Sequence, residues 1–194
     1  MHIVCDTCAI LMLLRIAPEM FTDQRFECVT LPEVREEIIR TQKFKTRYPW
    51  RDRYKDRLRC LSQNDLLSSG NFELFFETSR VLITSGVENQ KTKRLFNLSS
   101  VDIKVIAYAL SAGYKVATGD ADIKDFAEQE FADVYKGSIS PLGMINMWLQ
   151  RGLIEWTDQM HDYLSDWTAL NEDPQPKRQK AQFKKLTGRK YPGS

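Results

Sequence analysis

Short apolar runs alternate with segments of helical period along this chain, and that rhythm leaves few architectures open. Ile3–Asp6 is an apolar run that stops on an acid, and Thr7–Ile16 continues as an apolar stretch of helical length. Phe26–Thr30, Tyr114–Thr118 and Ala132–Tyr135 are the other strand-like runs. Thr30-Leu31-Pro32-Glu33 spells a helix start, with a hydroxyl cap, a proline in the first turn and an acid three residues after the cap. That helix runs through Val34, Glu37 and Ile38 toward Thr41. Phe72–Ile83 has amphipathic period and ends near Gly86. Leu98-Ser99-Ser100-Val101-Asp102 opens a helix that Gly113 stops, with Val105, Ile106, Ala109 and Leu110 on its apolar face. Gly119-Asp120-Ala121-Asp122 starts another helix to about Glu130, and further helices are expected near 140–151 and 153–170. The alternation predicts an α/β fold: a three-layer α/β/α sandwich with a mostly parallel central sheet, a helical insertion and C-terminal helices. Residues 1–150 form the expected core domain, interrupted at about 43–98; 151–173 is a helical extension and 174–194 a basic, flexible tail.

Charge narrows what such a fold acts on. The formal charge is only +2, yet it is segregated. Segments 40–59 and 174–194 hold nine and seven basic residues against two acids, so together they carry +14. The rest of the chain has twelve basic and twenty-four acidic residues, leaving it at −12. An acidic body with two basic patches suggests a polyanionic partner and a carboxylate-rich site. No apolar run approaches the ~20 residues a membrane helix needs, and Met1-His2-Ile3-Val4-Cys5-Asp6 lacks the basic start of a signal peptide. Cys5-Asp6-Thr7-Cys8 is formally a CxxC, but Cys28 and Cys60 supply no second knuckle. Reduced thiols in a cytoplasmic protein are the expectation.

Three acids stand where a parallel α/β fold builds its site, at or near the carboxyl ends of strands. Asp6 ends the first run, Asp120 follows Tyr114–Thr118, and Asp102 sits in the first turn of the helix before it. Glu33 and Glu37 are four apart on one helix face. Clustered carboxylates repel one another unless a divalent cation neutralises them, and oxygen-only ligands suit Mg²⁺ or Mn²⁺. Each acid also has a plainer role. Asp102 and Glu33 fit capping boxes with Ser99 and Thr30, Asp120 fits a turn or cap, and Asp122 and Asp125 fit a solvated helix face. An acid closing a buried run, like Asp6, has the fewest such alternatives. His2 and His161 form no triad or HExxH pattern, and no phosphate-cradling glycine motif is present.

Four segments together resemble the PIN-domain family of metal-dependent ribonucleases: Ile-Val-Cys-Asp6-Thr7, Thr30-Leu-Pro-Glu-Val-Arg-Glu-Glu37-Ile, Leu-Ser99-Ser-Val-Asp102-Ile, and Val-Ala-Thr118-Gly-Asp120-Ala-Asp122-Ile. The match covers roughly 1–40 and 96–136. The resemblance implies an endoribonuclease in which Asp6, Glu37, Asp102 and Asp120 are catalytic. Asp6, Asp102 and Asp120 would hold Mg²⁺ or Mn²⁺, with Asp122 or Asp125 as an outer ligand. Thr7, Ser99 and Thr118 would be orienting hydroxyls. Alignment on Thr-x-x-Glu selects Glu33 instead of Glu37, so both stay open. The family also contains toxin nucleases, so an antitoxin, another protein partner or a second copy of the chain is a further expectation.

The basic segments fit RNA. In 40–59, Phe44, Tyr48, Trp50 and Tyr54 interleave with the cations. Cations neutralise phosphates while aromatic faces stack on bases. Lys43, Lys45, Arg47, Trp50, Arg51, Arg53, Lys184 and Lys185 are the candidate RNA contacts. The alternative is a solvated helix with its aromatics packed on the core.

Overall fold

Ile3, Val4 and Cys5 are each fully buried, as a strand covered on both faces requires. The structure, a computed structural model, describes residues 2–62, 64–65, 70–170 and 175–192. Among these residues the strands are β1 (Ile3–Cys5), β2 (Cys28–Val29), β3 (Lys115–Ala117) and β4 (Ser138–Ile139). The helices are α1 (Thr7–Leu13), α2 (Pro32–Arg40), α3 (Gln42–Arg47), α4 (Phe72–Thr84), α5 (Ser100–Ala112), α6 (Ala121–Glu130), α7 (Pro141–Gln150), α8 (Asp158–Ala169) and α9 (Lys177–Thr187). Short 3-10 helices cover Gln24–Phe26 and Pro49–Arg57.

The sheet order is β2-β1-β3-β4 and every pairing is parallel, with Val4 opposite Val29 and Val116, and Ala117 opposite Ile139. α1 packs on α2 and α7, while α5 packs on α4 and α6. This is the expected three-layer α/β sandwich. Each strand hands over directly to a helix at its carboxyl end. Asp6 caps α1, Asp120 caps α6 and Ser140 caps α7, each accepting from a backbone N–H of the first turn. Ser99 and Asp102 form a full capping box on α5, and Gly113, at φ 67°, ends that helix in the left-handed region. Among the described residues no helix is long and apolar enough to cross a membrane.

Three expectations change. The fourth strand is Ser138–Ile139, not Ala132–Tyr135. The amides of Val134 and Tyr135 both donate to the Phe131 carbonyl, so that run is a turn, and Gly137 at φ 89° redirects the chain into the sheet. Thr30 does not cap α2. Leu31 takes the cap position without a side-chain bond, and the buried Thr30 hydroxyl donates to the Cys5 carbonyl, tying β2 to β1 (3.0 Å). The expected flexible tail is helix α9, packed against α7. Phe183 is fully buried there, edge-on to Trp156 at 4.9 Å and stacked with His161. One aromatic in a strongly basic segment supplies the apolar anchor that average composition conceals. The expected boundary at 173–174 lies outside the described residues.

Candidate active site

The carboxyl edge of the sheet carries a cavity of about 200 Å³. Asp6, Glu37, Asp102 and Asp120 all line it, together with Thr7 and Arg47. Four acids from four separate elements therefore meet. Asp6 arrives at the end of β1, Glu37 on the second turn of α2, Asp102 on the first turn of α5, and Asp120 just after β3.

Asp6 is the most constrained of them, at 2% exposed. Its Oδ1 accepts from the Ala9 N–H at 2.6 Å, while Oδ2 is buried without a hydrogen-bond partner among the described residues. Burial pushes its carboxyl up to about 7, and the charges of Asp102 and Asp120 add to the rise. The Thr118 hydroxyl and the Ala9 N–H oppose it without prevailing. Desolvation is the main cause of the rise and the neighbouring carboxylates a smaller one.

Glu37 accepts from the Thr7 hydroxyl at 2.5 Å, which ties the second acid to the residue after the first. Glu33 does not line this cavity. It pairs with Lys104 at 2.7 Å, so the structure brings Glu37 rather than Glu33 to the other acids. Asp102 carries both of its readings at once: it accepts from the Ser99 N–H at 2.8 Å as a cap and still lines the cavity. Asp120 likewise caps α6 through the Asp122 N–H at 2.7 Å, and its own N–H donates to the Thr118 hydroxyl at 2.9 Å.

Asp122 and Asp125 are used elsewhere. Asp122 accepts from the Asn97 N–H at 3.0 Å, and Asp125 pairs with Lys91 at 2.5 Å and Asn89 at 3.2 Å. Both pin the 89–97 loop to α6 and neither lines the cavity. Among the described residues, no three His, Cys, Asp or Glu side chains form a ready-made metal-ligand set. The acids share a cavity rather than a closed coordination shell. Mg²⁺ keeps several waters and is usually bound through one or two carboxylates plus substrate phosphate, so a closed set of protein ligands is not a requirement for it. The orphaned Asp6 Oδ2 and an all-oxygen donor set are consistent with such an ion.

The basic candidates divide. Lys43, Lys45, Arg53, Lys184 and Lys185 are exposed. Arg47 lines the acidic cavity and donates to the Leu170 carbonyl. Trp50 is half-buried, edge-on to Tyr48 and Tyr54, with the Arg15 guanidinium 4.7 Å from its ring centre. Packing therefore accounts for much of that aromatic run. Arg51 is a correction: at 2% exposed it is a strut, not an RNA contact. Its Nε donates to the Ile38 carbonyl at 2.8 Å, and its other nitrogens face the carbonyls of Ile39 and Tyr48, satisfying the C-terminal end of α2. Arg51→Ala is expected to lower stability by about 2–3 kcal/mol, because hydrogen bonds from a charged donor disappear and buried carbonyls are stranded. A denaturant titration showing no loss would contradict this.

Sequence reasoning missed Phe44 and Tyr48 as walls of the cavity, and Arg15 as the cation between Trp50 and Tyr163. Their separation from the acidic motifs along the chain left no local signal. Compared with protein-family models, curated proteins and solved structures, the chain returns no match.

Proposed function

We propose that this chain is a divalent-metal-dependent endoribonuclease of PIN-like type, cleaving RNA at the cavity shared by Asp6, Glu37, Asp102 and Asp120. The observation that carries the reading is their convergence: four acids spread from residue 6 to residue 120 line one small cavity at the carboxyl edge of a parallel sheet. The raised Asp6 carboxyl supports it, since a carboxyl perturbed mainly by burial, and in part by Asp102 and Asp120, in a cavity is a functional-site signature.

Asp6, Asp102 and Asp120 would hold Mg²⁺ or Mn²⁺. When bound, the cation supplies charge neutralisation and Lewis acidity toward a phosphodiester. Glu37, steadied by the Thr7 hydroxyl, accepts a proton from the water that attacks phosphorus. As the new P–O bond forms, the bond to the leaving oxygen breaks. Arg47 on the rim offsets charge on the phosphoryl oxygens. Lys43, Lys45, Arg53, Lys184 and Lys185 remain available to grip flanking phosphates. Thr118 and Ser99 position Asp120 and Asp102 through the backbone bonds described above. The thiols and the absence of a membrane-length helix among the described residues are compatible with a cytoplasmic setting.

A second reading, a PIN-like scaffold that binds RNA or a protein without cutting, is favoured by one observation: the acids form no closed ligand set among the described residues. One assay separates the two. Labelled single-stranded RNA is incubated with the wild type or Asp120→Asn, in Mn²⁺ or in EDTA. Cleavage is expected only for the wild type in Mn²⁺. Asp120→Asn should lose more than the ~10–100-fold that loss of an outer-shell partner typically causes. Cutting that survives EDTA, or that is equal in the variant, overturns the nuclease mechanism.

A further inference from the structure

A second cavity, of about 440 Å³, adjoins the acidic one, and Asp120 belongs to the wall of both. Its remaining walls come from the end of β4 and from the C-terminal segment, through Ser138, Ser140, Gln175 and Gln179. The volume falls within the ~300–1,000 Å³ of small-ligand pockets. Ile139 and Pro176 give it apolar surface, and Lys124 stands at its edge.

The amide orientations in this pocket are dictated by backbone groups. The Leu142 N–H can only donate, so the group it meets on the buried Gln175 side chain at 3.1 Å is Oε1. The backbone carbonyl of Gln179 can only accept, so the Asn146 atom 2.9 Å from it is Nδ2. The same Nδ2 lies 2.8 Å from the Gln179 side chain, which must present Oε1 to it. Gln179 thus turns its acceptor to Asn146, while its Nε2 lies beside Gly143, on a side chain that lines the pocket. Gly143 is bare beside it: a Cβ there would meet Ile139 Cγ1 at 2.9 Å, Ser140 Oγ at 3.3 Å and Gln179 Nε2 at 3.4 Å, so glycine leaves room for the Gln179 amide. The pocket does not favour an anion. Asp120 is in its wall, and the Lys124 ammonium lies 3.8 Å from the Glu128 carboxylate. An uncharged, flat, oxygen-bearing ligand fits better than a phosphate.

We propose that this pocket holds the base next to the scissile phosphate of a single-stranded RNA, and that Gln179 selects a keto base, uracil or guanine, over adenine by donating Nε2–H to the base carbonyl. The proposal deepens the nuclease reading and rests on it for the phosphate's position. Gln175 and Asn146 act as positioning residues that hold the donor in place.

The test is equilibrium binding of fluorescein-labelled ten-nucleotide oligo-U and oligo-A to the full chain in EDTA, where cleavage does not intervene. The wild type is expected to prefer oligo-U by about fivefold, the worth of one net hydrogen bond. Gln179→Ala should bring the two affinities together. Gln179→Glu, an acceptor in place of a donor, should reverse the preference toward adenine, whose exocyclic amine donates. A merely structural role for Gln179 would not reverse it. Thermal melting of both variants confirms that the fold is retained, as the Asn146 bond to the Gln179 backbone survives either change. Equal wild-type affinities, a preference that Gln179→Ala leaves intact, or no binding of either oligonucleotide overturns the proposal. RNA that binds with this preference but is not cut in Mn²⁺ overturns the nuclease reading and leaves the base pocket standing. Cleavage without preference does the opposite.

Discussion

Asp6→Asn is expected to abolish cleavage and at the same time to make the protein more stable at pH 8, by up to about 4 kcal/mol. The carboxyl is held at about 7 in the fold against a reference near 3.8. Each unit of difference is worth about 1.4 kcal/mol. Below pH 4 the group is protonated in both folded and unfolded chains and contributes nothing. As pH rises from 4 to 7 the unfolded chain releases its proton first, so the folded state loses stability, and above 7 the loss is complete. Asparagine does not titrate and remains a good helix cap, so it can keep the bond from the Ala9 N–H. The wild type should therefore lose stability between pH 4 and 7 while the variant stays closer to level. Mn²⁺ should raise the melting temperature of the wild type at pH 8 by supplying the missing counter-charge, and should do little for the variant. Denaturant melts at pH 4.5 and 8 with and without Mn²⁺ measure all of this. If both proteins melt alike at pH 8, Asp6 is not the strained acid described above.

Phe183→Ala carries the second large effect. The ring is fully buried and lies edge-on to Trp156 and Tyr191 and stacked with His161. Truncating a buried phenylalanine costs about 3–5 kcal/mol. α9 packs on α7 and has only Phe183 buried along its length, so the expected failure is local. The helix releases, protease cuts within 177–187, and the core melts cooperatively at a lower temperature. RNA affinity should fall with it, because Lys184 and Lys185 leave the surface together with the Gln179 pocket. Lys184→Ala with Lys185→Ala separates the two causes. Both side chains are exposed, so stability should move by less than about 0.5 kcal/mol each. The slope of affinity against salt should drop by about 1 for each phosphate that is no longer neutralised. An undiminished slope in that double variant would remove α9 from the RNA surface. A Phe183→Ala protein as protease-resistant as the wild type would mean that the helix is held by something else.

Much of the scaffold is legible from local pattern alone. The β1 run ending at Asp6, the Ser99–Asp102 capping box and the Gly113 stop are all visible in short stretches of sequence, and the structure has each of them. The alternation of strand and helix predicts a parallel sheet, and all three pairings are parallel. The misreadings have one kind of cause. Ala132–Tyr135 has strand-like composition, but two backbone bonds to Phe131 turn it. Thr30 has cap-like spacing, but the Cys5 carbonyl from the neighbouring strand takes its hydroxyl. In both, a bond to a partner set by backbone geometry outweighed a side-chain preference worth about 1 kcal/mol.

For the site, the sequence by itself determined which acids exist, their order, and that Asp6 and Asp120 sit at strand ends. It could not decide between Glu33 and Glu37, because residues four apart share a helix face and only packing chooses which turn meets the cavity and which meets Lys104. It grouped Arg51 with its basic neighbours, whereas the fold buries that one guanidinium among the carbonyls ending α2. It placed Asp122 and Asp125 beside Asp120, whereas the 89–97 loop engages both. Charge and periodicity are properties of neighbours along the chain and survive in the sequence. Which side chains share a cavity depends on contacts across dozens of residues, and those exist only once the sheet has brought the ends of β1 and β3 to one edge with α2 and α5.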